Sequence, residues 1–220
     1  MFYLDPSQIF RADNLERLPW LEHGFGTRLS LPDHKPTETA TLKQIHSDRV
    51  LLAEAAGNQG EGDALISNRP GLTLAIRTAD CLPILIADPK NHAIAAVHAG
   101  WRGAVADIAA KAALALTRQF GSRPEELLVA IGPGIGACCF EVGAEVAVRF
   151  VSFFPERPDL NGRTKIDLAE TIRRQLRRNG VTLGQIVTAD LCTCCQADTF
   201  HSYRRDREAA GRMVSSIRIR

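Results

Sequence analysis

Two apolar runs, Pro83–Ala87 and Ala93–Val97, flank the turn-forming Asp88-Pro89-Lys90-Asn91, and this arrangement restricts the fold more than any other stretch of the chain. Short aliphatic runs bounded by Asp, Pro and Asn predict two strands that fold back on each other as a hairpin. The hairpin returns His98, just past the second run, to the neighbourhood of Cys81, just before the first. A soft sulfur and an imidazole then lie together, and Gly100 and Gly103 let other groups approach them closely. His46, in KQIHSDRV, precedes a further apolar segment, Val50–Leu52, and is a third candidate ligand. Two histidines and one cysteine with an open fourth position form the ligand set expected of a catalytic zinc. Spacing alone leaves each residue a second reading: Cys81 as a small buried hydrophobe, His46 as a surface histidine.

The rest of the pattern mixes strands and helices without regular β–α alternation, which argues against a doubly wound parallel sheet. GPGIGAC does not supply a dinucleotide fingerprint between a strand and a helix. The first 40 residues, broken by Pro6, Pro19, Pro32 and Pro36, read as a short strand or helix, a strand near His23–Arg28, then a loop. From Val50 to Val97 the chain reads as strands. Apolar spacing predicts one helix over Ala104–Phe120, capped by Gly121. A strand over Leu127–Ile131 runs into Gly132-Pro133-Gly134, and a helix is expected over Glu141–Phe153. Asp167–Asn179 opens with Asp-x-x-Glu and stops at Gly180, as a capped helix does. Strands at Ile186–Thr188 and Met213–Ile217 complete a mixed, α+β pattern.

At 220 residues the chain is expected to form a single domain spanning residues 1–220. The formal net charge of +2 is too small to suggest a nucleic-acid partner. No apolar run approaches the roughly 20 residues needed to span a bilayer, so no membrane association is expected. The first twenty residues lack the pattern of a secretory signal. Six cysteines, with Cys138-Cys139 and Cys194-Cys195 adjacent, suit a reducing compartment, and the cytoplasm is the expected location. Cys138, Cys139, Cys192, Cys194 and Cys195 are read as free thiols, because their spacing does not suggest the usual two-residue zinc knuckle.

QIHSDRV, GDALIS, TADCLPILIAD, AAVHAGWRG, IGPGIGACCFEVG and FHSYRRDREAAGRM occur in that order. Together they resemble the YfiH-like family over about Gly24 to Arg212. The resemblance implies a four-layer α/β/β/α fold with mixed sheets, of the YfiH/CNF-like cysteine-hydrolase type, with the site between the sheets. It also implies metal ligands at His46, Cys81 and His98, with zinc as the metal and copper as the second candidate. The family has an older label, multicopper polyphenol oxidase or laccase-like. Six histidines and no His-x-His pair cannot house a multicopper cluster, which needs about ten histidines. Relatives usually carry a longer segment before the QIH motif, where only Leu29–Leu42 intervenes here.

The resemblance implies a purine nucleoside phosphorylase acting on adenosine, inosine, guanosine and methylthioadenosine, with adenosine deaminase activity. Both reactions suit a catalytic zinc: a bound water attacking purine C6, or a metal positioning a group while phosphate attacks the sugar. The expected partners are therefore small molecules, a nucleoside and phosphate, and the expected assembly is a monomer or weak dimer. Asp80 is a candidate catalytic residue, either as carboxylate partner of a ligand histidine or as proton shuttle. Its alternative reading is a turn residue. Arg102, at the start of the expected long helix, and Arg204 and Arg205 are candidate phosphate ligands. Arg28 and Gln44 are weaker candidates for the pocket lining. A competing function makes Cys81 the nucleophile and His98 the base of an amidase, with Asp80 or a backbone carbonyl orienting the imidazole; the resemblance implies muramyl peptides as its substrate.

Overall fold

The structure, a computed structural model, describes residues 1–30 and 35–220. Its strands, in chain order, are β1 (Phe2–Leu4), β2 (Ile9–Ala12), β3 (Leu21–Gly26), β4 (Thr39–Lys43), β5 (Val50–Leu52), β6 (Gly57–Glu61), β7 (Ala64–Ser67) and β8 (Thr73–Thr78). They continue with β9 (Leu82–Asp88), β10 (Ala93–Ala99), β11 (Leu128–Ile131), β12 (Glu141–Val142), β13 (Thr164–Lys165), β14 (Ile186–Thr188) and β15 (Met213–Ile219). The helices are α1 (Asp13–Glu16), α2 (Trp101–Val105), α3 (Ile108–Phe120), α4 (Ala144–Ala147), α5 (Leu168–Arg178) and α6 (Tyr203–Asp206). One mixed sheet runs β1-β2-β3-β15-β8-β4-β6 and a second runs β14-β11-β9-β10-β7-β5, which is the α+β architecture with mixed sheets.

The two sheets pack face to face. Phe25, Leu74, Ile76 and Ile217 of the first meet Leu65, Leu85, Ile94 and Ala96 of the second. The opposite face of the second sheet, with Ile66, Ile84, Ile86 and Val97, packs under Ile108, Ala112 and Leu116 of α3 and Ile172 and Leu176 of α5. All seven residues of β9 and all seven of β10 are therefore buried, which explains why both read as unbroken apolar runs. Burying each large aliphatic side chain there stabilises the fold by about 1.5–3 kcal/mol. β15 instead alternates buried and half-buried residues, and the outer face of the first sheet shows Glu22, Arg77 and Arg218 to solvent. Helical cover is concentrated on the second sheet.

The hairpin forms as the turn chemistry demands: Asp88 Oδ1 accepts from Lys90 N at 2.8 Å, and His98 pairs with Pro83 across the ladder. α5 is capped at Asp167, whose side chain accepts from Glu170 N at 2.9 Å, a contact worth about 1 kcal/mol. Three expectations are corrected. The helix expected over Ala104–Phe120 is two helices, because Asp107 adopts a left-handed φ of 61° and ends the first turn-and-a-half. The helix expected over Glu141–Phe153 keeps only α4 and a following 3-10 turn, since Glu141 and Val142 pair with Lys165 and Thr164. The N-terminal stretch holds three strands; the expected loop reaches residues 31–34, which lie outside the described residues, and gives way to strand at Thr39.

One topological regularity places the site. The chain crosses from the first sheet to the second three times in succession, after β4, after β6 and after β8. Because β5 runs parallel to β7, while β7 and β9 both run antiparallel to β10, the starts of these three strands and the end of β10 share one edge. His46, Asp63, Cys81 and His98 sit at those four positions.

Candidate active site

A group of three potential ligand atoms, from His46, Cys81 and His98, lies with every pair within 4.8 Å. Cys81 Sγ is 3.9 Å from His46 Nε2, and the two imidazole rings stand 5.0 Å apart at 76°. Tetrahedral zinc bonded at about 2.0–2.3 Å spaces its N and S ligands by roughly 3.3–3.8 Å, close to what these side chains present. Gly100 makes the convergence spatially possible. A Cβ there would lie 2.9 Å from both Cys81 Sγ and His46 Cδ2.

Asp63 organises this group, and no spacing argument singles it out, although it lies in the GDALIS motif. It is fully buried, and its carboxylate accepts His98 Nδ1 at 2.8 Å, Ser47 Oγ at 2.7 Å and the backbone N–H of Ser47 at 2.6 Å, His46 at 3.0 Å and Ile45 at 3.3 Å. Its own backbone oxygen accepts His98 N at 2.7 Å. An ionised carboxylate only accepts, so Nδ1 of His98 carries a proton and Nε2 is the ring nitrogen left for a metal once its own proton is lost. Burial alone would push the Asp63 carboxyl up, but the bonds from His98 and Ser47 outweigh it and hold it at about 2. Burial likewise opposes ionisation of Cys81, yet the two imidazoles bring its thiol down to about 7. Burial disfavours the charged form of His98, while Asp63 and Cys81 raise it to about 9.

Two of the seven non-glycine residues with positive φ among the described residues belong to the site. His46 and Asp80 hold φ values of 58° and 79°, each costing about 1–3 kcal/mol unless its surroundings compensate. Asp63 compensates at His46 through the three consecutive backbone donors of residues 45–47. At Asp80 the carboxylate accepts Thr193 Oγ1 and Arg204 N, both at 2.6 Å. Those bonds place Asp80 as the anchor of the turn into Cys81. The carboxylate partner of His98 is Asp63, not Asp80.

The group lies on the floor of an open cleft of about 1100 Å³, which His46, Cys81 and His98 line together with Trp101, Phe140 and Arg204. The candidate cleft residues separate by their contacts. Arg102 lines the cleft, exposed, with its guanidinium 4.6 Å over the Trp101 ring and no hydrogen bond to the described residues. Its helix, α2, has five residues and is separate from α3, so Arg102 does not open the long helix. Arg204 lines the cleft with Nη1 donating to Cys139 O and Glu141 O. Gln44 lines it too, but both ends of its amide pair with the backbone of Arg77 at 2.8 and 2.9 Å. Arg205 is spent on structure, binding Asp206 and the carbonyls of Thr193, Cys194 and Phe200. Arg28 donates to Ala197 O at 2.5 Å and does not line the cleft. Arg77, and Arg207 of the FHSYRRDREAAGRM motif, do line it without being among the candidates, and neither guanidinium hydrogen-bonds the described residues.

Residues 27–220 match the family model described as multi-copper polyphenol oxidoreductase laccase. A purine nucleoside phosphorylase of Bacteroides thetaiotaomicron is 42% identical over 200 residues, covering 84% of this chain and 74% of that protein. The purine nucleoside phosphorylase YfiH of Escherichia coli is 36% identical over 198 residues, covering 86% of this chain and 77% of its own. The crystal structure of the Bacillus licheniformis hypothetical protein YfiH superposes with a TM-score of 0.90 at 26% identity, covering 100% of this chain and 99% of that one. YlmD from Geobacillus stearothermophilus gives a TM-score of 0.89 at 25% identity, covering 100% and 98%. Motifs, fold and relatives agree that the chain belongs to the YfiH-like family, the one whose family model bears the laccase name.

Proposed function

We propose that this chain is a zinc-dependent purine nucleoside phosphorylase that also deaminates adenosine, with His46, Cys81 and His98 holding the metal. One coincidence supports the reading: relatives named purine nucleoside phosphorylase match most of the chain, and its two-histidine, one-cysteine group floors a cleft roomy enough for a nucleoside and phosphate. The donor set fits zinc, since one soft thiolate and two imidazoles leave a fourth position open. Copper remains the second metal to test, because thiolate and imidazole suit it as well. Bound zinc supplies a Lewis acid that draws electron density from an oxygen or nitrogen placed against it.

The chain's own residues supply the rest. Asp63 holds the proton of His98 on Nδ1 and fixes the ring. Arg102, with Arg77 and Arg207 on the same cleft, offers charge-assisted donors to a phosphate dianion. Trp101, with Arg102 over one side of its ring, and the largely buried Phe140 give the cleft apolar surface for a purine. In phosphorolysis a phosphate oxygen bonds to the sugar carbon as the bond to the purine nitrogen breaks. The electron pair leaves with the base, which takes up a proton, and ribose 1-phosphate remains. Inosine and guanosine follow the same course, and methylthioadenosine does so to leave adenine and 5-methylthioribose 1-phosphate. Deamination of adenosine needs water instead of phosphate: the water oxygen bonds to purine C6 as the bond to the exocyclic nitrogen breaks, and inosine and ammonia remain. The test follows adenine, inosine and ribose 1-phosphate separately from adenosine. Adenine and ribose 1-phosphate should form only with phosphate present, whereas inosine should form without it; adenine release independent of phosphate sinks the reading.

A second reading rests on the line Asp63–His98–Cys81, with the thiol near 7, which is the order of groups in a cysteine hydrolase. In that reading the Cys81 sulfur bonds to an amide carbonyl carbon of a muramyl peptide, the C–N bond breaks as His98 protonates the leaving amine, and water then hydrolyses the thioester. A covalent adduct on Cys81 that forms equally well in chelator would favour it.

A further inference from the structure

The structure assigns a second metal site, a closed four-cysteine zinc centre formed by Cys138, Cys139, Cys192 and Cys195. Their four sulfurs lie within 4.8 Å of one another. Cys195 Sγ is 3.5 Å from that of Cys138 and 3.3 Å from that of Cys139, and all four are free thiols. Four sulfurs around zinc, each bonded at about 2.3 Å, stand roughly 3.8 Å apart, so only small adjustments are needed. Taken as one run, Cys192, Cys194 and Cys195 have the wrong spacing for such a centre; the cysteines are free, as expected, and the fold gathers four of their sulfurs at one place. The structure selects Cys192 and Cys195, which stand two residues apart as a zinc knuckle requires, and leaves Cys194 outside the foursome.

The surroundings are those of a ligand turn. Gly136 N donates to Cys192 Sγ at 3.2 Å, a backbone bond of the kind that orients a metal thiolate. Cys139 N and Phe140 N both return to Gly136 O, at 3.0 and 2.9 Å, and this tight turn brings the two adjacent cysteines to one place. A Cβ on Gly136 would lie 3.2 Å from both Cys138 Sγ and Cys192 Cβ, so glycine lets the two turns approach. Zinc here would take protons from the thiols and find no open position, which makes it structural rather than catalytic.

Its place in the fold gives it a task. The segment from Gly132 to Phe140 and the segment around Cys192–Cys195 meet outside the sheets, joined by one isolated bridge, Gly134 to Cys192, and by Thr193 N on Gly134 O at 2.9 Å. Ile135 and Phe140 line the cleft, and Thr193 holds Asp80, the residue before Cys81. A metal staple between these turns therefore fixes one wall of the cleft and the turn that presents Cys81.

Metal content of the full-length chain, prepared under reducing conditions and titrated with zinc against a chromophoric chelator, tests the assignment. The wild type should hold two zinc equivalents and Cys81→Ala one. Adding Cys195→Ser to Cys81→Ala should remove the remaining equivalent, whereas adding Cys194→Ser should leave it. Cobalt(II) supplied to Cys81→Ala should give strong sulfur-to-metal charge-transfer absorption, a readout that needs no change in the cluster itself. Absence of zinc and of that absorption in folded Cys81→Ala, or an equivalent that survives Cys195→Ser, overturns the assignment. So does a disulfide between these cysteines that persists under reduction. None of these readouts depends on enzymatic turnover, so the assignment stands or falls separately from the phosphorylase reading.

Discussion

Asp63→Asn is the most informative single change, because one side chain positions two of the three members of the group. The substitution keeps the shape but replaces a carboxylate oxygen by an amide nitrogen facing donors. Asp63 accepts five bonds while fully buried, and one comes from the His98 ring. Breaking a buried charge-assisted network of this kind costs about 3–5 kcal/mol. For a chain of this size that lowers Tm by roughly 10 °C. The acid limb gives a second readout. Asp63 has a folded value near 2, below the ordinary 3.8, so its stabilisation is complete above the unfolded value and is lost as pH falls towards 2. Integrated, this is about 2 kcal/mol that Asp63→Asn should lack at neutral pH and that wild type should lose in acid. The measurements are urea unfolding by circular dichroism at pH 7 and pH 3, and zinc titration, where loss of a ligand's carboxylate partner typically costs 10–100-fold in affinity. A variant within about 1 kcal/mol of wild type, with unchanged zinc affinity, would refute the role given to Asp63.

Further outcomes follow from other contacts. Gly100→Ala should weaken zinc binding at the His46–Cys81–His98 site, since the added methyl intrudes on Cys81 and His46, and metal titration of the folded variant checks this. Arg102→Ala should raise the KM for phosphate and slow phosphorolysis while sparing deamination; Arg205→Ala should instead lower Tm, because its fork ties together residues 193–206. Zinc affinity should rise between about pH 6 and pH 9: despite burial, Cys81 keeps its proton below about 7 and His98 below about 9, and the metal must displace both. A flat profile by chelator competition would contradict that assignment.

Features with a local signal are legible in the amino-acid sequence, and features assembled from distant segments are not. The Asp88–Asn91 turn and its flanking aliphatic runs carry their own geometry, so the convergence of Cys81 and His98 can be read from residue order alone. The α5 helix is legible for the same reason, with its cap, apolar face and terminating Gly180 all within one window. Asp63 is not, because its five donors come from residues 45–47 and 98, and only the repeated crossing between sheets brings them together. The break at Asp107 is hidden by continuous helical spacing, since one left-handed residue leaves no trace in apolar periodicity. Arginines carry the least information. Arg102, Arg204, Arg205 and Arg28 look alike in sequence, and only their partners distinguish a cleft cation from a structural fork. The four-cysteine cluster is obscured for a different reason: its knuckle is present in the sequence, but the adjacent Cys194 masks which pair belongs to it.

The central claim is that phosphorolysis depends on the metal held by His46, Cys81 and His98. Its most direct test measures adenosine phosphorolysis against zinc equivalents returned to chelated protein, for wild type and for Cys81→Ser. In wild type the rate should vanish on chelation and return with the one zinc equivalent that Cys81→Ser cannot bind, while Cys81→Ser should stay inactive at every zinc level that leaves it folded. Full activity in chelator, or a Cys81→Ser enzyme that phosphorolyses adenosine at the wild-type rate without that zinc, would contradict the account.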